Sequence, residues 1–71
     1  MINETELLKL AKDLIGIDEI ELDTLREDIE EWDSLLHVML VSAAVENFNI
    51  IVPMEEIGKI TCLRDFMKYE K

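Results

Sequence analysis

A chain of 71 residues has room for one domain with one modest core, and none for separate substrate and cofactor domains. Apolar residues make up 49 %, a globular composition, while seventeen acidic against seven basic side chains leave a formal charge of −10. That charge repels nucleic-acid phosphates and anionic lipid surfaces, so nucleic-acid binding and membrane insertion are not expected, and it steers the chain toward basic patches on proteins.

Cys62 is the single cysteine, which rules out an internal disulfide, and the sequence offers no ligand set for a structural zinc, so no metal site is expected. No basic stretch followed by an apolar run opens the chain, and no apolar run reaches membrane-spanning length. The expected compartment is the cytoplasm.

Taken in chain order, Asn3-Glu4-Thr5-Glu6 offers a capping box, and Leu7, Leu8, Ala11, Leu14 and Ile15 then fall on one face of a first helix that ends at Gly16. Residues 17 to 33 hold nine acidic side chains and one basic, yet Ile17, Ile20, Leu22, Leu25, Ile29 and Trp32 recur at short intervals. Those anchors predict a long loop fastened to the core, with a short helical turn near Thr24 to Arg26. Asp33 or Ser34 caps a second helix running to about Phe48, and Asn49 ends it in the left-handed conformation.

Pro53 forces Ile50, Ile51 and Val52 into extended backbone and suits the start of a short third helix, Met54 to Gly58. Thr61 is expected to cap a fourth, with Leu63, Phe66 and Met67 as its buried stripe and Lys68 and Lys71 near its C-terminal dipole. No repeat, Gly/Ser linker or low-complexity tract divides the chain, so residues 1–71 are expected to form a single, free-standing domain. The expected fold class is all-α, a small four-helix bundle with a long loop between helices one and two and a short third helix.

Trp32-Asp33-Ser34-Leu35 sets a hydroxyl at the start of the second helix, where unpaired amide hydrogens and the positive end of the dipole favour an attached phosphate. Here the chain resembles the acyl carrier protein family, whose members bear Asp-Ser-Leu at the start of their second helix. The resemblance runs on through Glu46-Asn47-Phe48-Asn49-Ile50, Pro53-Met54-Glu55-Glu56-Ile57 and Ile60-Thr61, and so spans nearly the whole chain.

What the resemblance implies is a carrier rather than an enzyme. A phosphopantetheinyl transferase moves 4'-phosphopantetheine from coenzyme A to Ser34, flanked by Asp33 and Leu35, and the thiol of the arm then holds acyl or aminoacyl cargo as a thioester. The implied partners are that transferase, an acyl- or aminoacyl-loading ligase, and acyl-accepting or condensing enzymes, met by a monomeric carrier. Fatty acyl, aminoacyl, D-alanyl, polyketide and polysaccharide-modifying carriers share this architecture, so the resemblance does not fix the cargo.

Two features depart from carriers of fatty-acid synthesis and point to a specialised member: Trp32 stands where a small residue is usual, and Leu36, Met39 and Val45 occupy helix-two positions that are often acidic. The expected partner surface is Leu36, His37, Met39, Val45, Glu46 and Ile57, with dimerisation as the competing use of an apolar helix.

His37 lies one turn beyond Ser34, but no acid is placed to orient it as a catalytic base, and a solvent-facing or arm-contacting role is expected. Asp33 reads as a helix cap and also as a contact for the transferase or its metal. Trp32 reads first as packing and second as a guide for the arm. Cys62 reads as a small packed side chain. The alternative from another class is an unmodified acidic helical adaptor or inhibitor that binds a basic protein through helix two; without the wider resemblance, Asp-Ser at a helix start is an ordinary cap.

Overall fold

A computed structural model describes residues 2–70, and within them the chain is helical with no strand. Helix α1 (Glu4–Ile15) begins where expected: the Asn3 carbonyl of the side chain accepts the Glu6 amide at 3.1 Å. Gly16 closes it at φ 82° and ψ 29°, donating its amide to Lys12, and only a residue without Cβ adopts that conformation at no cost. Leu7, Ala11 and Ile15 are buried along one face, with Leu8 and Leu14 half-buried beside them.

Helix α2 (Ser34–Phe48) packs against α1 and buries His37, Leu40, Val41 and Ala44. It ends at Asn49 with φ 53° and ψ 47°, a left-handed position that asparagine tolerates. Two 3₁₀ segments complete the bundle, a third helix at Met54–Lys59 and a fourth at Leu63–Tyr69. Both were expected as ordinary short helices. They wind tighter, as short pieces do when packing rather than a long hydrogen-bonded ladder holds them. Ile60, Leu63 and Phe66 complete the core, while Tyr69 donates its hydroxyl to Glu56 at 2.7 Å and so joins the third helix to the fourth.

Thr61 does not cap the fourth helix. Cys62 occupies the capping position without a side-chain bond, and Thr61 instead donates its amide (2.9 Å) and hydroxyl (3.1 Å) to Asp65. The Asp65 carboxyl feels partial burial, which pushes it up, but the two Thr61 bonds, nearby Lys68 and the Cys62 amide together hold it below its ordinary value. Lys68 sits in the last turn as expected, and Lys71 lies outside the described residues.

The acidic loop is ordered by anchors and tethers. Ile20, Leu22 and Trp32 are buried and Ile17 and Ile29 half-buried, but Leu25, expected as an anchor, is 40 % exposed. The Arg26 amide donates to Thr61 at 2.7 Å, and the Arg64 amide donates to Leu22 at 3.0 Å, stitching the loop to the fourth helix. Arg64 also grips Asp23 with two bonds of 2.6 and 3.1 Å, holding that carboxyl below its usual range, although solvent screening keeps the pair's contribution small. The helical turn falls at Arg26–Asp28, two residues later than expected, because Thr24 is already spent on the preceding turn, accepting the Glu21 amide at 2.9 Å.

Phe66 is wholly buried, and its replacement by alanine is expected to cost about 3–5 kcal/mol, a large part of a small domain's stability. Urea unfolding should show the midpoint falling sharply with the slope unchanged.

Candidate functional site

Ser34 is the first residue of α2, and the backbone around it is fixed from both sides. Upstream, the Trp32 amide donates to Ile29 at 3.1 Å and the indole is 2 % exposed, so the returning loop is pinned by packing. Next to the serine, Asp33 adopts extended backbone (φ −86°, ψ −175°) and ties it to the residues downstream, accepting the Leu36 amide on its carboxylate at 2.9 Å and the His37 amide on its carbonyl at 2.9 Å. Asp33 is therefore the cap. Ser34 is exposed and is not needed for capping, and the amides of Ser34 and Leu35 lie in the first turn, where helical geometry provides no partner.

The serine hydroxyl is thus both accessible and structurally spare. A phosphodiester there would meet the open amides and the helix dipole, worth about 0.3–1 kcal/mol, against repulsion from the Asp33 carboxylate next to it.

His37 corrects the sequence reading. It was expected at the surface, facing solvent, arm or partner, but it is 3 % exposed and is the buried polar side chain of the core among the described residues. Its Nδ1 accepts the Trp32 indole N–H at 3.0 Å, and its Nε2 lies 2.7 Å from the Ile57 carbonyl. Those two partners select a neutral ring protonated on Nε2, because an indole can only donate and a carbonyl can only accept. With both nitrogens occupied, the imidazole has none free to activate the Ser34 hydroxyl. Burial is the main cause that holds its pKa below the ordinary 6.5; the Arg26 charge acts in the same sense, and the bond to Ile57 opposes both.

The signal for this burial was present in the spacing. Positions 37, 40, 41 and 44 recur as one helical face, and the structure buries all four.

The opposite face of α2 is exposed at 35, 38, 39, 42 and 46, again a helical repeat. Of the expected partner surface, Met39 and Glu46 lie on it, whereas Leu36 is half-buried and Val45 and Ile57 are half-buried against the core. Leu35, 71 % exposed, and Val38 also lie on this face, giving an apolar stripe of Leu35, Val38 and Met39 that begins beside Ser34. Met54, at the start of the third helix, is 85 % exposed.

Trp32 also forms one wall of an open cleft of about 590 Å³, lined further by Leu25, Arg26, Ile29 and Thr61 with Glu27 and Glu30 at its edge. Its burial is that of a packed side chain, the first of the two roles its sequence position suggested.

Comparison of the chain with protein-family models, with curated proteins and with solved structures finds no match.

The division of labour at the helix start gives a direct test. Asp33→Ala is expected to lose about 0.5–2 kcal/mol of stability with the cap, and Ser34→Ala to change it by less than about 0.5 kcal/mol. Equal losses in paired urea titrations would assign Ser34 a structural role.

Proposed function

We propose that the chain is a carrier protein and that Ser34 bears a 4'-phosphopantetheine arm. The observation that supports this reading is the exposed, spare hydroxyl of Ser34 at the first turn of α2, held on rigid backbone by Asp33 and Trp32. It stands together with the resemblance of Asp33-Ser34-Leu35 and the later segments to acyl carrier proteins. On this reading Ser34 is a point of attachment, the transferase promotes attack on coenzyme A, and the domain turns over nothing by itself.

Cargo sits on the distal thiol of the arm, and loading and accepting enzymes dock beside the attachment point. The apolar stripe of Leu35, Val38 and Met39, with Glu46 at its far end, supplies a contact surface one helix face wide. The surrounding negative charge, −10 overall, favours partners whose docking site is basic, mainly through faster encounter at low salt.

The same stripe would serve an unmodified adaptor that binds a basic protein, and modification separates the two readings. Incubation with coenzyme A, magnesium and a broad-specificity phosphopantetheinyl transferase should add one phosphopantetheine to the wild type and none to Ser34→Ala, read as intact mass. A folded wild type that gains nothing favours the adaptor.

The docking surface makes a second prediction. Val38→Glu and Met39→Glu should slow modification by about tenfold, the scale of one interface hot spot, while circular dichroism stays unchanged. Val45→Glu, by contrast, places a charge against the core and should unfold the domain. Wild-type rates in both surface variants would remove the stripe from the docking site.

A further inference from the structure

The buried imidazole of His37 joins three parts of the fold by hydrogen bonds, in addition to the apolar core they share. It belongs to α2, it accepts from the loop through Trp32 (3.0 Å), and it bonds the third helix through the Ile57 carbonyl (2.7 Å). Trp32 lies two residues before Ser34 and His37 three residues after it, so the hydrogen bond from indole to imidazole closes a six-residue ring of chain around the attachment point. The two rings sit 5.9 Å apart between centroids.

This connection depends on one proton. The indole N–H is a donor only, so it requires an unprotonated Nδ1. A proton gained there sets two donors against each other. Among the described residues, no charged side chain hydrogen-bonds the imidazole. Arg26 of the loop adds a like charge, the Asp33 carboxylate is engaged by the Leu36 amide, Glu56 of the third helix accepts from Tyr69, and Asp65 of the fourth accepts from Thr61. From α1 the core receives apolar Leu7 and Ala11.

We propose that His37 is a positioning residue for Ser34: the neutral imidazole ties the attachment segment to the third helix, and protonation at Nδ1 unties Trp32 and slows modification of Ser34. The second half of this statement rests on the carrier reading; the first does not. The proton comes from solvent and forms an N–H bond at Nδ1; no heavy-atom bond changes.

The sign follows from the buried neutral form. An imidazole whose folded pKa is depressed contributes its full stabilisation above its unfolded value, near 6.5, and loses it as pH falls through the folded value. The connection therefore stays closed above pH 6.5 and opens as pH falls through the lower, folded-state value.

The test has two arms. In the first, the protein alone is titrated downward from pH 6.5 while the His37 ring protons, the Trp32 indole proton and the emission of this single tryptophan are followed. All three should move in one transition while circular dichroism holds steady, and Trp32→Phe, which keeps a ring but removes the donor, should bring the His37 midpoint closer to 6.5. Tryptophan signals that stay still through the His37 transition, or that move only with global unfolding, overturn the proposal.

In the second arm, transferase rates are compared for wild type and His37→Gln, which retains a donor toward Ile57 and does not titrate. The ratio of wild-type to variant rate cancels the transferase's own pH dependence and should fall by roughly two- to tenfold across the same transition, the shift that one neutral hydrogen bond supports. Trp32→Phe replaces His37→Gln if the latter does not fold, and its ratio should show the same fall. A constant ratio overturns the positioning role. Failure of Ser34 to accept any arm overturns that role together with the carrier reading, and the first arm then still decides whether the connection exists.

Discussion

The hydrogen-bonded bridge through His37 is the interaction on which the site depends. A chain this short has few buried side chains to spend on ordering a seventeen-residue loop, and this loop is dense with negative charge that repels itself. Apolar anchors at Ile20 and Leu22 and the stitches from Arg26 and Arg64 fasten its middle. Its last residues, which lead directly into Ser34, are fastened by Trp32 against the core and by the indole bond to His37. A polar group buried without partners typically costs about 1–3 kcal/mol, and here both ring nitrogens are matched, so specificity of arrangement is gained without that penalty.

Helix α2 divides its two faces between two tasks. One face, His37, Leu40, Val41 and Ala44, builds the core with α1 and the fourth helix. The other offers Leu35, Val38 and Met39 to solvent beside an exposed serine. An exposed apolar stripe is a cost in a domain that stands alone and a benefit on meeting a partner, and a high net charge of this sign opposes self-association and would favour a basic partner on the proposed reading.

Much of this was legible in the sequence because local physics decided it. Asn3, Gly16, Asp33 and Asn49 mark the ends of both α-helices through side-chain caps or left-handed backbone, chemistry that needs no tertiary context. The loop anchors were legible except Leu25, whose exposure depends on where the turn at Arg26–Asp28 falls. Tertiary partners decided the remainder. The Thr61 hydroxyl could accept from a helix amide or donate to Asp65, and only the position of Asp65 chose between them. Leu36 and Val45 were separated from Leu35 and Val38 by which side of α2 turns toward the rest of the fold, a fact that an almost uniformly apolar helix does not announce. His37 was misplaced because histidine is usually wet, although its helical register put it on the buried face.

Exposure of Ser34, its freedom from capping and the fixed backbone on either side are physical requirements for a serine that an enzyme must reach and modify. They join with the resemblance to acyl carrier proteins in a single account, in which the fold's task is to present one hydroxyl beside one docking stripe. The most direct measurement is tandem mass spectrometry of this protein recovered from the cells that naturally make it. The account predicts a peptide in which Ser34 carries phosphopantetheine, with any retained cargo on its thiol identifying the pathway; recovery of the protein with Ser34 uniformly bare would contradict it.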